Sequence, residues 1–231
     1  MPLPFPYPTP YPTTPTATYA LPAAFTGPVG PPVVYSHTTS AGPDESFFLA
    51  GAGLGKSLML WGPGSGGGGG AAATTLPMID PDHLVGTVSQ AASDGVYVGV
   101  AGDGDHWSNP FRLNAPQPWW CGPDRAAPDG LVDLVGDELA ERPDRVRAWV
   151  YAALPGKPGA WASTAAVSRY RVRFHAPAAP GHYNVWVYGG SGGQYGWGGP
   201  VPLDVASPAR TDLRRVEPQA FTAAGIEGAM D

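Results

Sequence analysis

Charge is scarce in this 231-residue chain: 14% of its residues are charged, the net charge is −6, and lysine occurs twice, at Lys56 and Lys157. So few cations exclude the basic footprint of a nucleic-acid binder. Cysteine is reduced to Cys121, which rules out an internal disulfide and leaves the redox compartment unread. Beside Trp119 and Trp120 it is expected as a small buried or half-buried residue, the alternative being a reactive thiol. No run approaches the ~18 apolar residues of a membrane helix, so no membrane insertion is expected. The start MPLPFPYPTPYPTTP has neither the basic nor the apolar region of a secretory signal.

Glycine (33) and proline (29) are abundant instead, which argues against helices, since both disfavour helix interiors and favour turns. Hydrophobic residues make up 43%, too many for disorder over the whole length. Residues 1–31 carry proline at positions 2, 4, 6, 8, 10, 12 and 15, the pattern of an extended or disordered Pro/Thr/Tyr-rich arm.

Short strands are predicted at 32–35, 46–49, 57–61, 84–88, 96–100 and 111–113. A flexible insertion, Gly62 to Asp82 with the glycine run Gly66–Gly70, interrupts them. A second set follows at 119–120, 131–135, 146–152, 169–175, 182–188 and 201–205. The sets repeat. Pro43, Gly51 and Leu54 match Pro128, Gly136 and Leu139, 85 positions on. Gly95 and Tyr97 match Gly181 and Tyr183 at 86, and Trp107, Pro110 and Leu113 match Trp197, Pro200 and Leu203 at 90. Offsets that change only inside loops are the trace of one duplicated fold. The expectation is all-β: two tandem immunoglobulin-like antiparallel β-sandwiches, at 32–115 and 116–206, behind the arm.

Within Arg169–Phe174, Tyr170, Val172 and Phe174 alternate with three arginines, the signature of a strand with one wet face. That arginine row could grip an acidic polysaccharide or simply be solvated. Tyr97 and Tyr183, each two residues after a glycine, occupy the place of a tyrosine corner.

Catalytic and metal chemistry find little footing. The glycines of Gly189–Gly199 precede a strand, not the helix N-terminus that a phosphate loop needs. Asp103-Gly104-Asp105 offers calcium too few oxygens, and the five histidines lack zinc-type spacing. No GxSxG occurs and Cys121 has no visible base. No catalytic residue, cofactor or metal is assigned.

Aromatics are the better lead. With Tyr183, Val185 and Val187 inward, Trp186 and Tyr188 point outward beside Trp149, Tyr151 and Arg147. Met59, Trp61, Val98 and Val100 would form the matching face of the first unit. Such faces rarely stay exposed. One reading is burial against the sister domain or a downstream domain. The other is a platform stacking on sugar rings, with Arg147 bonding hydroxyls. A core tryptophan on that strand would reverse the parity.

The pattern P–x–x–x–F/V–x–L–x–G, at Pro43–Gly51 and Pro128–Gly136, resembles the early-set immunoglobulin-like domains of the IPT/TIG type. The ending GHYNVWVYGGSGGQYGWGGPVPLDV is similar to paired sandwich domains of bacterial polysaccharide-active proteins. In those, the pair precedes a right-handed β-helix of the pectate-lyase-like or glycoside-hydrolase class. The resemblance covers about residues 32–206, and 207–231 would be the lead-in to a downstream domain. It implies an extracellular or cell-surface accessory or spacer module whose partners are a polysaccharide or that downstream β-helix/catalytic domain. Alternatives are the front part of a glycoside hydrolase or polysaccharide lyase, and a structural surface or phage-type adhesion component.

Overall fold

The computed structural model describes residues 32–206 except 56, 64–68, 72, 76–79, 103–105 and 143; at 61, 63, 69–71, 73–75 and 194 it describes the backbone alone. The expected arm at 1–31, the tail at 207–231, the Asp103–Asp105 turn and most of the glycine run therefore lie outside the described residues.

Strands dominate, as the glycine and proline content dictates. The N-terminal half holds β1 (Val33–His37), β2 (Ser46–Ala52), β3 (Ser57–Pro63), β4 (Gly69–Ala71), β5 (Ala73–Thr75), β6 (His83–Val88), β7 (Tyr97–Gly102) and β8 (Phe111–Leu113). They form two antiparallel sheets, in the orders β1-β2-β6-β5 and β4-β3-β7-β8. The insertion is thus partly strand: β4 and β5 extend one sheet each, pairing with β3 and β6. Low side-chain content did not prevent this, because ladder bonds need only backbone.

The C-terminal half holds β9 (Gln117–Gly122), β10 (Arg125–Ala126), β11 (Leu131–Asp137), β12 (Trp149–Ala153), β13 (Ala160–Ala162), β14 (Thr164–Val167), β15 (Arg171–His175), β16 (Gly181–Tyr188) and β17 (Trp197–Val205). One 3-10 turn, Gly193–Gly196, precedes β17. The sheets run β10-β17-β16-β12-β13 and β14-β15-β11-β9. Among the described residues β10 and β17 pair in parallel, as does the isolated Gly55–Gly102 bridge. Among the described residues there is no α-helix, and the fold is an all-β sandwich architecture.

Alternation selects the core. In β2, Phe47 and Leu49 are buried while Phe48 between them is exposed. In β15, Val172 and Phe174 are buried while Arg171 and His175 are exposed and Arg173 half-buried. Two buried clusters result, each between two sheets: one from Val34 to Leu113, the other from Cys121 to Val205. Tyr170 departs from the expected parity. It lies in the bend before β15, exposed, with the Arg169 guanidinium 5.0 Å from its ring centroid.

The repeated residues make repeated contacts. A Cβ at Gly51 would stand 2.0 Å from Val33 O, and one at Gly136 would stand 2.2 Å from Gln117 O. Both are far inside contact distance, so only glycine lets the first strand of each half approach. Gly51 and Gly136 also donate to Asp82 O and Tyr170 O, while Leu54 and Leu139, both fully buried, donate to Pro81 O and Arg169 O. Tyr97 Oη donates to Ser93 O at 2.7 Å and Tyr183 Oη to Ala179 O at 2.9 Å, each four residues upstream.

Candidate functional site

Tyr183, Val185 and Val187 of β16 enter the C-terminal core, so the intervening side chains face away from it. On that outer face Tyr151, Ala153, Trp186, Tyr188 and Trp197 form a second cluster, with Trp149 packed against it. The register places Trp149 opposite Tyr188 and Tyr151 opposite Trp186. Rings that close pack tilted or edge-on: Tyr188 and Trp197 lie 5.1 Å apart at 48°, Trp149 and Tyr188 5.9 Å apart at 57°.

Most of this face is closed. Tyr188 is 3% exposed, Tyr151 6% and Trp186 8%, so these three expected sugar contacts cannot present a ring face to a ligand. The covering piece is the glycine hairpin between β16 and β17. Left-handed Gly190 and Gly192 (φ 90° and 82°) turn it back, and Trp197 is carried onto the aromatic cluster, 1% exposed.

The hairpin also joins the two halves. Tyr195 is buried with Val98 and Val100, and Met59 and Trp107 pack against them. Arg112 Nη1 donates to Tyr195 O and Trp197 O, both at 2.9 Å, and Ser191 Oγ accepts from Val96 N at 2.8 Å. The outer face of β7 is therefore covered by the C-terminal half; the Trp61 side chain lies outside the described residues.

Beside the hairpin sits a buried carboxylate. Glu138, with no exposed side-chain surface, accepts from Arg142 at both oxygens (3.1 Å each) and from Arg145, and Arg169 Nη2 lies 2.8 Å away as an ion pair. Burial alone would raise its pKa; the hydrogen bonds from Arg142 and Arg145 outweigh that and hold it at about 2. Arg142 reaches across to the N-terminal half, donating to Asp94 at 3.1 Å and Ser40 Oγ at 2.7 Å. A buried, hydrogen-bonded charge cluster of this kind rigidifies what it connects.

What stays open is the side of the aromatic face at β13. Trp161, 48% exposed, stacks on Trp197 (5.5 Å, 22°) and meets the Tyr151 ring edge-on at 5.4 Å and 79°. A groove of about 220 Å³ runs beside it, lined by Arg147, Ala148, half-buried Trp149, Trp161 and Thr164 among others. Arg147 precedes β12 and is not part of it. Its Nε lies 2.6 Å from Glu141 Oε2, an ion pair without hydrogen-bond alignment. On the other flank of Trp161 a wider cleft of about 510 Å³ is lined by Leu154, Lys157, Ala176 and Tyr183 among others.

Trp161 escaped the sequence reading because a three-residue Ala-Trp-Ala strand shows no periodicity. The signal that could have found it is the Pro155-Gly156-Lys157-Pro158-Gly159 turn, which folds that triplet back along Tyr151.

Cys121 lies in the C-terminal core, 3% exposed, and burial pushes its thiol up to about 12. Among the described residues no three of His, Cys, Asp and Glu gather as a metal set, and no helix is long and apolar enough to cross a membrane.

No family model and no curated protein matches the chain. Solved structures do. One is the SGBP-B of the Bacteroides ovatus mixed-linkage glucan utilization locus, in complex with a mixed-linkage heptasaccharide. It is 17% identical, with a TM-score of 0.29, over 73% of this chain and 44% of that one. Another is the gamma-CGTase of alkalophilic Bacillus clarkii, 12% identical, with a TM-score of 0.32, over 71% of this chain and 23% of that one. This chain thus spans less than half the length of either. At these scores the likeness carries no argument about activity, and function is read from the residues of this chain.

Proposed function

We propose that this chain is a rigid, non-catalytic accessory module of an extracellular or cell-surface polysaccharide-active protein, contacting neutral carbohydrate through the groove between Trp149 and Trp161. Its two immunoglobulin-like units span 32–115 and 116–206. The observation that carries the reading is Trp161. Its indole is backed by Trp197 on one side and held edge-on by Tyr151, which keeps it oriented while nearly half of its surface stays open. A ring fixed before the ligand arrives loses little entropy on stacking against the apolar face of a sugar. Arg147 spends Nε on Glu141, and its terminal N–H donors have no acceptor among the described residues, which suits hydroxyls at the rim.

Of the five residues expected to contact sugar, Arg147 and Trp149 keep that role. Tyr151, Trp186 and Tyr188 become the buried support. The joint built by Arg112, Arg142 and Tyr195 favours a spacer that holds its two units in fixed relation for a downstream catalytic domain. An insoluble-glucan pull-down tests the groove: wild type is retained, while Trp149→Ala and Trp161→Ala, folded by circular dichroism, lose at least tenfold in affinity. Equal retention of both variants, or no retention of wild type on cellulose, xylan and mixed-linkage glucan, overturns it. Hydrolysis or lysis of any of these by the chain alone would overturn the non-catalytic part.

A further inference from the structure

The sheet β14-β15-β11-β9 turns a second face to solvent, and β9 forms the edge opposite β14, the strand whose Thr164 lines the groove. Its inward row is fixed by Cys121, Leu134 and Val172, which are mutual register partners and all lie in the core. The next row must then face outward, and it reads Trp120–Val135–Arg171 across three adjacent strands. The β9–β11 register shifts between Trp120 and Pro118, leaving Trp119 as the extra residue of a bulge. A bulge re-aims a side chain that simple alternation would bury. Trp119 is accordingly 57% exposed beside Trp120 at 52%, their rings 5.9 Å apart and 27° from parallel.

The charges on this face are unequal in their partners. Arg173 is bound to Asp133 through two hydrogen bonds of 2.8 Å, and Arg169 to Asp137 and Glu138. Arg171 is exposed and has no ion pair among the described residues. It sits two strands from Trp120, roughly 10 Å at the usual spacing. Two exposed indoles and a guanidinium with no ion pair of its own, close to an Asp133 carboxylate that Arg173 already holds, form one set of recognition groups on this face.

We propose that this face is a second carbohydrate site, selective for an acidic polysaccharide whose sugar rings lie on Trp119 and Trp120 and whose carboxylate or sulfate pairs with Arg171. The proposal shares the module reading above but uses other residues and another ligand class. Charge complementarity selects the occupant. A nucleic acid would need a row of free cations along its backbone, and here Arg173 and Arg169 are already paired.

The experiment is titration calorimetry of the full chain with polygalacturonate and alginate, and with fully methyl-esterified homogalacturonan, the first polymer without its charge. Wild type binds at least one of the two polyuronates at least tenfold more tightly than the ester, and binding weakens as salt rises. Trp120→Ala and Arg171→Gln each lose tenfold or more for that polyuronate, Arg171→Lys recovers part of the loss, and Trp161→Ala leaves it unchanged. Absence of polyuronate binding, equal affinity for the ester, or unaltered affinity in Arg171→Gln overturns the proposal without touching the groove. Concentration-dependent dimerisation abolished by Trp120→Ala would assign the face to self-association instead, which also overturns it. Loss of neutral-glucan retention in Trp161→Ala is read separately, so the two sites stand or fall apart.

Discussion

Replacing Glu138 by Gln removes one charge from the centre of the joint and changes little else. The shapes match, and glutamine meets the same left-handed backbone (φ 53°) that glutamate already adopts. Glu138 is buried and faces Arg142, Arg145 and Arg169. A carboxyl held at about 2, against an ordinary 4.5, is favoured as the anion by roughly 3 kcal/mol. Removing the anion leaves Arg145 without a carboxylate among the described residues, while Arg142 keeps Asp94 and Arg169 keeps Asp137, and breaking a buried pair from one side costs about 3–5 kcal/mol. The expected loss at pH 7 is therefore about 3 kcal/mol, a fall in Tm of roughly 6–12 °C for a chain of this size. The folded pKa lies below the unfolded one, so the stabilisation is complete above about pH 4.5 and disappears as pH falls toward 2. Urea titrations of wild type and variant at pH 7, 4 and 2 measure it; guanidinium chloride would screen the charges under study. The gap should close between pH 4.5 and 2. A variant within 1 kcal/mol of wild type at pH 7, or a gap of unchanged size at pH 2, would refute the electrostatic account of this joint.

Two further outcomes follow from packing. Gly51→Ala and Gly136→Ala should each destabilise by about 2–4 kcal/mol, because the new methyl meets a backbone carbonyl that can yield only by releasing the first strand of its sandwich; urea midpoints check this, and a loss below 0.5 kcal/mol for either would remove the shared role given to these glycines. Cys121 should resist thiol reagents at pH 8 until the C-terminal sandwich unfolds, since its thiol is buried and pushed up to about 12; fast labelling of the native chain would contradict that placement.

The strands of the core were legible where one face is wet. Val172 and Phe174 declare their direction because arginines alternate with them, whereas Phe47, Phe48 and Leu49 form an unbroken apolar run in which only the fold tells Phe48 from its buried neighbours. The repeated glycines were legible as a pattern, and the contact distances at Gly51 and Gly136 supply the reason. Where alternation fails, the sequence was silent or misleading. The bulge that turns Trp119 outward adds one residue to one strand and leaves no mark in composition. Tyr170 alternates correctly yet lies beyond the end of its strand.

Composition and period-two patterning, taken alone, determined an all-β chain, the inward rows of β15 and β16, and an outward aromatic face on β12 and β16. These are local properties, since each strand carries its own two-sided pattern. Only the tertiary structure decided which of those aromatics still meet solvent. Trp197 and Tyr195 arrive from a hairpin, Trp161 from an unpatterned edge, and Arg142 from a loop that bonds across to Asp94. Accessibility belongs to what packs on a face rather than to the face, and long-range packing is not written in any one segment of the chain.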